Sequence, residues 1–204
     1  MKHILIVEDE LDIQELLRTY LEDAGYGTAV AGDGVAALSL FHAQPFDLVL
    51  LDLMLPKING FGVCELIRQQ SQVPVIMLTA LDSEEQQLKG FGMDIDDYVT
   101  KPFSPAELTA RVDALYRRTG GDTESLSADE ISDPPFLLNT RNRTLEKNGQ
   151  RVKLTQVEYG IVKLFMENPG KALSREEILK FVWGENYLGE LKIVDVNIRR
   201  LRVK

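Results

Sequence analysis

Short apolar runs alternate with amphipathic segments along the first 118 residues, and this alternation constrains the fold more than any other feature of the sequence. His3–Val7 and Asp47–Leu51 are runs of strand length, and the first is followed by Ile13, Leu16 and Leu17 at helical spacing. Continuous apolar runs of this length are typical of strands in a parallel sheet whose two faces are both covered by helices.

Five strand–helix units of this kind are predicted in the region. Because crossover connections are right-handed, few topologies remain, and we predict an α/β fold with a flavodoxin-like, doubly wound, five-stranded parallel sheet in the order 2-1-3-4-5. The other predicted strands are Thr28–Ala31, Pro74–Leu78 and Asp97–Thr100, and the helices after the first are predicted over Gly34–Ala43, Phe61–Gln70, Glu84–Phe91 and Pro105–Arg118.

Residues 135–204 predict a smaller α+β domain. Strand-like segments surround Asn148-Gly149, which is a strong signal for a hairpin turn. Two capping boxes predict the first two helices of this domain, and they are Thr155 with Glu158 and Ser174 with Glu177. A third helix is predicted over Glu190–Lys204, with one apolar face formed by Val194, Ile198 and Leu201.

Charge is distributed unevenly along the chain. The net charge of −9 divides into −10 over residues 1–118, where 9 Lys and Arg stand against 19 Asp and Glu, −5 over residues 119–134, and +6 over residues 135–204. Residues 119–134 carry no positive charge and few apolar side chains, which is typical of a flexible acidic linker. An acidic domain joined to a basic one suggests a nucleic-acid partner for the basic domain.

The sequence lacks the features of an exported or membrane-spanning chain. No apolar run approaches the ~18–20 residues that a membrane span needs, and the N-terminus turns acidic at Glu8-Asp9-Glu10, unlike a signal peptide. The single cysteine, Cys64, cannot form an internal disulfide. We therefore expect a cytoplasmic protein with no membrane partner.

Polar residues follow four of the predicted strands at the point where each strand ends. Glu8 and Asp9 follow the first strand, and Asp52 follows the third. Thr79 follows the fourth strand and Lys101 the fifth. In a doubly wound sheet these ends border one crevice. Three carboxylates placed so close together need a cation, and carboxylate oxygens with water suit Mg²⁺, for which Mn²⁺ could substitute.

A carboxylate in such a crevice can act as a nucleophile toward a phosphoryl group. Asp52 is the best candidate, because it ends the central buried strand of the predicted sheet. Phosphoryl transfer also requires positive charge on the equatorial phosphoryl oxygens. Mg²⁺ and Lys101 would supply that charge, and the Thr79 hydroxyl could donate a hydrogen bond to a third oxygen.

Four short motifs within residues 1–118 resemble the receiver domain of two-component response regulators, and they are Glu8-Asp9, Asp52, Thr79-Ala80 and Lys101-Pro102-Phe103. The resemblance implies that Asp52 takes a phosphoryl group from a sensor histidine kinase. It implies that Asp9, Asp52 and the Met54 carbonyl would ligate Mg²⁺, with Glu8 close by. It also implies a cis peptide bond at Lys101-Pro102.

The same resemblance assigns roles to three residues near the predicted phosphoacceptor. Tyr98 would be a switch aromatic that moves inward when phosphate draws Thr79 toward it. Met54 and Leu81 occupy positions that influence the hydrolytic water in the family, and neither can orient water by hydrogen bonds. We therefore expect phospho-Asp52 to hydrolyse slowly.

Motifs within residues 136–204 resemble the winged helix-turn-helix effector domain of OmpR/PhoB-type regulators, and they are Leu154-Thr155, Glu158-Tyr159, Ser174–Leu179, Val182-Trp183-Gly184 and Val194–Arg202. The resemblance implies that the third helix enters the major groove of promoter DNA, with Arg200 reading bases. The other implied DNA contacts are Trp183, Asn197, Arg199 and Arg202. The family has a hairpin wing after this helix, whereas this chain ends at Lys204, so we expect weakened or absent DNA binding.

The resemblance further implies assembly and promoter architecture. A homodimer would form on phosphorylation through the face made by the predicted fourth helix, fifth strand and fifth helix, and it would bind direct-repeat half-sites, with RNA polymerase as a further partner. Charges of alternating sign suggest three intermolecular ion pairs on this dimer face, namely Lys89–Glu107, Asp97–Arg111 and Asp96–Arg118. Surface pairs of this kind affect specificity more than affinity.

Two other functions are consistent with parts of the sequence. The basic C-terminal domain of a receiver protein could bind protein and not DNA. An Asp-nucleophile phosphatase similar to haloacid dehalogenases would also use Asp, Thr, Lys and Mg²⁺, but that class has a second acid where this chain has Met54, and its nucleophile lies on the first strand. We therefore expect a regulator that phosphorylates itself once, and not a turnover enzyme.

Overall fold

A computed structural model of the protein describes residues 1–80, 95–119, 130–185, 187 and 189–204, with residues 117–119 described as backbone only. The chain divides into two compact units, Met1–Val112 and Asp113–Lys204. Each unit has its own sheet and its own apolar core.

The N-terminal unit contains a five-stranded parallel sheet in the order β2-β1-β3-β4-β5, which confirms the predicted order. The strands are β1 His3–Val7, β2 Gly27–Ala31, β3 Leu48–Asp52, β4 Val75–Thr79 and β5 Asp97–Thr100. The helices are α1 Leu11–Asp23, α2 Gly34–Ala43, α3 Gly60–Gln70 and α4 Pro105–Thr119, whose last residues belong to the second unit. The predicted fourth helix, Glu84–Phe91, lies outside the described residues, so α4 is the predicted fifth helix.

The apolar runs form strands because the middle of the sheet is covered on both faces. Every residue of β3 and β4 is buried, and so are four of the five residues of β1. Short polar side chains begin two of the surrounding helices, since Asp33 caps α2 and Asn59 caps α3 by accepting hydrogen bonds from backbone N–H groups. Because the strands are parallel, their carboxyl ends and the polar residues that follow them lie at one edge of the sheet.

The C-terminal unit contains a four-stranded antiparallel sheet and three helices. The strands are β6 Glu130–Asp133, β7 Phe136–Asn139, β8 Thr144–Lys147 and β9 Gln150–Val152, in that spatial order. The helices are α5 Gln156–Glu167, α6 Arg175–Trp183 and α7 Lys192–Leu201. The predicted linker, residues 119–134, extends too far, because β6 lies inside it. The composition of the segment does not predict a strand, because β6 is a largely exposed edge strand with polar side chains.

Local signals in the C-terminal unit behave as predicted. Asn148 and Gly149 both have positive φ angles, 53° and 75°, as a two-residue hairpin turn of the primed type requires. Both capping boxes are formed at the starts of α5 and α6. In the first capping box, the fully buried Glu158 accepts a hydrogen bond from the Thr155 N–H at 2.9 Å. Glu158 also forms an ion pair with Lys204 Nζ at 2.6 Å.

We predict that Thr155→Ala lowers the free energy of unfolding of the C-terminal unit by about 1 kcal/mol, because the N–H of Glu158 loses its side-chain acceptor. Trp183 is the only tryptophan in the chain and is fully buried in this unit, so its fluorescence in a urea titration reports the unit's unfolding. Thr155→Ser keeps the hydroxyl and should restore most of the loss. An unchanged urea midpoint for Thr155→Ala would contradict the prediction.

Candidate functional site

The acidic residues that follow β1 and β3 meet at the carboxyl edge of the N-terminal sheet. One carboxylate oxygen from each of Glu8, Asp9 and Asp52 lies within 4.8 Å of the others. Glu8 and Asp52 are buried, whereas Asp9 is exposed. The structure therefore brings together three of the residues for which the sequence predicts a metal site.

Lys101 reaches the same carboxylates from the end of β5. Its Nζ lies 2.7 Å from Asp52 Oδ2 and 2.7 Å from Glu8 Oε2, and Glu10 Oε1 is 4.0 Å away. The peptide bond between Lys101 and Pro102 is cis, as the resemblance implies. One ammonium group thus bridges two buried carboxylates.

Burial and charge shift the pKa values of two groups in this cluster. Burial is the main cause that raises the pKa of the Glu8 carboxyl; the hydrogen bond from Lys101 opposes this rise, and the charge of Asp52 adds to it. Burial alone would lower the pKa of Lys101, but its hydrogen bonds to Asp52 and Glu8 outweigh burial and raise that pKa overall. Lys101 is therefore a fixed cation at neutral pH.

Thr79 and Tyr98 lie beside this cluster on neighbouring strands. Thr79 is buried at the end of β4, where its carbonyl oxygen accepts a hydrogen bond from the Lys101 N–H at 2.7 Å. Tyr98 is half-buried on β5, pairs in register with Met77 of β4, and packs against the core of the unit. Thr79 is therefore bonded through its backbone to Lys101, and Tyr98 lies on the strand next to β4; the switch roles of both side chains stay predictions.

The donor set of the cluster fits a hard divalent cation. Three carboxylates and one ammonium group leave a formal charge of −2 if all are ionised, which a single Mg²⁺ or Mn²⁺ would balance. Asp9, Asp52 and the Met54 carbonyl could hold the ion, with Glu8 behind them. Met54 is the second residue of the loop after β3, and its N–H donates to Asp52 Oδ1 at 3.1 Å, so the loop is bonded to the carboxylate.

Gly60 begins α3 directly beside the last residue of β3. A Cβ atom at Gly60 would lie 2.2 Å from the Asp52 carbonyl oxygen, so α3 can begin this close to β3 only with glycine. The Gly60 N–H also donates to the Leu53 carbonyl at 3.0 Å. The sequence signal was present in Asn59-Gly60, since a helix N-cap followed at once by glycine suggests a close backbone approach.

Asp97–Arg111 is the one predicted intermolecular pair of the dimer face for which the structure describes both side chains, and they are paired within one chain, so pairing between chains stays a prediction. Asp97 is buried and pairs with Arg111 of the same chain at 3.2 Å, and Arg111 also binds Glu107, one helical turn earlier, at 2.7 Å. Asp96 is fully buried and binds Arg68 at 2.9 Å. Alternating charge in a sequence does not distinguish pairs within a chain from pairs between chains. Lys89 and the Arg118 side chain lie outside the described residues.

The predicted DNA contacts need correction at three positions, one on α6 and two on α7. Trp183 and Asn197 are fully buried and Arg200 is 6% exposed. Asn197 Nδ2 donates to the Ile193 carbonyl at 2.9 Å, and Arg200 donates to Asn197 Oδ1 at 2.6 Å. Polar residues were assigned to the outer face, but local hydrogen bonds allow these two to lie inside.

The apolar face of α7 is correspondingly rotated from the prediction. The buried apolar residues of this helix are Ile193, Val194 and Val196. Ile198 and Leu201 are only half-buried, because they line an open cavity of about 590 Å³ within the C-terminal unit. Lys192, Arg199 and Arg202 are exposed, and Arg202 also lines this cavity. The cationic surface of α7 is therefore formed by these three residues.

Two sequence families match the chain over most of its length. Residues 4–113 match the family described as "Response regulator receiver domain", and residues 149–204 match the one described as "Transcriptional regulatory protein, C terminal". Within the described parts of the chain, no helix is long and apolar enough to cross a membrane.

Relatives and solved structures agree with these matches. The chain is 40% identical over 204 residues to the sensory transduction protein RegX3 of Mycobacterium tuberculosis, covering 100% of this chain and 90% of that one. It is 40% identical over 209 residues to the probable transcriptional regulator ycf27 of Cyanophora paradoxa, covering 100% and 87%. The crystal structure of DrrB, a Thermotoga maritima OmpR/PhoB homologue, matches with a TM-score of 0.56 and 30% identity over 100% of this chain and 88% of that one.

A receiver unit followed by a transcription-regulator unit defines a two-component response regulator, a class whose partners are a histidine kinase and DNA. The chain belongs to the OmpR/PhoB-type family of response regulators. This family consists of transcriptional regulators and not of turnover enzymes.

We predict that Lys101→Met destabilises the N-terminal unit by about 3 kcal/mol at pH 8, because Glu8 and Asp52 lose the cation that pairs them. Without Lys101 the pKa of Glu8 rises further. The folded state then binds the proton of the Glu8 carboxyl more tightly than the unfolded state does, because in the unfolded state this carboxyl has its ordinary pKa of 4.5. Stability is therefore lost as the pH rises above about 4.5, and the deficit should shrink toward pH 5.

Hydrogen exchange of the β3 amides measures this deficit in the N-terminal unit alone. Asp52→Asn in the Lys101→Met background removes one of the two unpaired carboxylates and should recover part of the stability at pH 8. A deficit that stayed constant, or grew, between pH 8 and pH 5 would contradict the assigned electrostatics.

Proposed function

We propose that this response regulator is switched by phosphorylation of Asp52, with the phosphoryl group taken from the phosphohistidine of a sensor histidine kinase in a Mg²⁺-dependent reaction. The observation that carries the proposal is the position of Asp52. Its carboxylate lies 2.7 Å from the Lys101 ammonium and within 4.8 Å of the Glu8 and Asp9 carboxylates. Such a site combines a nucleophile with both of the charges that phosphoryl transfer needs.

Each neighbour of Asp52 has a distinct part in the transfer. An Asp52 oxygen attacks phosphorus, the bond from phosphorus to the histidine nitrogen breaks, and an acyl phosphate forms. Lys101 leaves its bridging position and pairs with a phosphoryl oxygen, and the Thr79 hydroxyl donates to another. Bound Mg²⁺, or Mn²⁺ in its place, would neutralise a further phosphoryl oxygen. Asp9, Asp52 and the Met54 carbonyl would hold that ion, and Glu8 would sustain the local negative charge.

The switch would run through Tyr98 to the dimer face. Movement of Thr79 toward phosphate vacates space beside β4, and the half-buried Tyr98 ring is placed to fill it. Arg111 donates to the Tyr98 carbonyl oxygen at 3.4 Å as well as to Asp97, so a shift of β5 would disturb the ion pairs of this face. We propose that a homodimer then forms through the dimer face. In that dimer, the ion pairs of Arg111 and Asp97 would be exchanged or shared between the two chains.

The output is proposed to be binding of promoter DNA, at direct-repeat half-sites, by a dimer that also contacts RNA polymerase. Exposed Lys192, Arg199 and Arg202 supply a cationic surface on α7 suited to phosphate contacts, which position a protein on DNA without reading sequence. Base reading by Arg200 requires that it leave Asn197. The burial of these two residues favours a second candidate, in which the C-terminal unit acts through protein contacts.

The phosphorylated state is proposed to persist. The Met54 side chain is 62% exposed beside Asp52 and has no group that orients water strongly. Leu81, the other residue considered in this role, lies outside the described part of the chain. The phosphatase alternative has little support here, because Met54 occupies the place of the second acid and Asp52 lies on β3 and not on β1.

We predict that acetyl phosphate with Mg²⁺ adds the mass of one phosphoryl group to the wild-type chain, because Asp52 is the nucleophile of the site. Intact-protein mass spectrometry should show this gain, and it should be absent from Asp52→Asn and from wild type treated with a chelator. After the donor is removed, the wild-type mass should decay over minutes or longer. Equal phosphorylation of Asp52→Asn, or decay within seconds, would contradict the respective part of the proposal.

We predict that the double variant Arg199→Ala, Arg202→Ala weakens binding to all DNA sequences alike and reduces the salt dependence, since each lost phosphate contact removes about one unit from the slope of log affinity against log salt. Fluorescence anisotropy of labelled duplex DNA at several salt concentrations measures both effects. Lys163→Ala on α5 is the control for loss of a cation elsewhere in the unit. Salt-independent binding by the phosphorylated wild type would contradict the phosphate contacts and favour the protein-contact alternative.

A further inference from the structure

The loop that joins β3 to α3 forms an ion pair with the residue that caps the N-terminus of α2. Within this loop, Lys57 Nζ lies 2.6 Å from Asp33 Oδ2. The other carboxylate oxygen of Asp33 accepts hydrogen bonds from the Val35 and Ala36 N–H groups, both at 2.9 Å. A single carboxylate therefore caps α2 and binds the loop that carries Met54.

The backbone of Lys57 indicates that its side chain matters to the loop. Its φ angle is 66°, in the left-handed region that favours glycine, so a lysine is strained there. Glycine would relieve that strain but could not make the ion pair to Asp33. The hydrogen bond from Lys57, followed by that from Ala36, lowers the pKa of the Asp33 carboxyl, so this carboxylate is ionised at neutral pH.

Two close backbone contacts leave the loop little freedom. A Cβ atom at Gly34 would lie 2.2 Å from the Ile58 carbonyl oxygen, so the loop rests directly on the first turn of α2. Two residues later, Gly60 approaches the Asp52 carbonyl just as closely, which brings the start of α3 against the end of β3. Met54 lies in the loop that this contact closes, and its N–H donates to the Asp52 carboxylate.

We propose that Lys57 is a positioning residue for the cation site, because its ion pair with Asp33 holds the loop so that the Met54 carbonyl and the Asp52 carboxylate converge. The proposal rests on the proposed function, since it requires that Mg²⁺ binds there. Mg²⁺ demands near-ideal octahedral geometry, so its affinity is sensitive to small displacements of a ligand. Lys57 touches neither the ion nor the phosphoryl group and acts only through the loop.

The direction of the effect separates this role from simple electrostatics. Lys57 carries a positive charge close to a cation site, so removing the charge alone should strengthen Mg²⁺ binding. Loss of the ion pair with Asp33 should instead loosen the loop and weaken Mg²⁺ binding. Only the second effect is specific to a positioning role.

The test is isothermal titration calorimetry of the full chain with MgCl₂. Lys57→Gln should raise the dissociation constant for Mg²⁺ about two- to fivefold, the range set by an exposed ion pair. Lys57→Arg can still reach Asp33 and should restore wild-type affinity. Lys57→Gly should bind Mg²⁺ as weakly as Lys57→Gln while unfolding no more easily than wild type, because strain is relieved.

Arg18→Gln is the control, since it removes another exposed cation from an ion pair outside the loop, that of Arg18 with Glu15 at 2.8 Å on α1. It should leave Mg²⁺ affinity unchanged, and a loss equal to that of Lys57→Gln would overturn the proposal. Unchanged or tighter binding by Lys57→Gln would overturn it as well and leave the proposed function standing. A wild-type chain that binds no Mg²⁺ would instead overturn the proposed function.

Initial rates of phosphorylation by acetyl phosphate give a second readout. A positioning role predicts that Lys57→Gln is slower than wild type at low Mg²⁺ and equal to it at saturating Mg²⁺. A rate defect of the same size at every Mg²⁺ concentration would show that Lys57→Gln impairs a step other than Mg²⁺ binding, and it would overturn the proposal.

Discussion

The N-terminal unit depends on one ammonium group that lies between two buried carboxylates. Lys101 binds Glu8 and Asp52, each at 2.7 Å, and these three residues come from β1, β3 and the end of β5. They meet only because the sheet order places the carboxyl ends of those strands at one edge. Buried carboxylates are unstable without a cation, so the two carboxylates hold Lys101 in place, and under the proposed function the same site would accept a further cation and a phosphoryl group.

The C-terminal unit also contains buried polar groups, and several of them are paired with one another inside the unit. Glu158 accepts from the Thr155 N–H and from Lys204, and Asn197 and Arg200 are joined to each other and to the backbone of α7. These contacts fix where the helices begin and which side of α7 faces inward. The surface left for a partner is therefore set by the polar core of the unit as much as by its apolar residues.

The sequence was sufficient for the sheet order, the helix caps, the hairpin turn and the convergence of polar residues after the strands, because each depends on a local pattern or on a general rule of parallel sheets. It was insufficient where the outcome depends on which charges meet in space. Asp97 pairs with Arg111 within the chain, and Arg200 lies inside. A polar side chain is buried or exposed according to the partners that the fold supplies, and β6 was missed because an edge strand needs no apolar pattern.

The most direct test of the central claim is to trap the acyl phosphate chemically. Borohydride reduces an acyl phosphate of aspartate to homoserine, which peptide mapping by mass spectrometry can locate. After incubation with a phosphodonor and Mg²⁺, the account predicts homoserine at position 52 and at no other aspartate. Homoserine at a different position, or none under conditions that add a phosphoryl group to the chain, would contradict it.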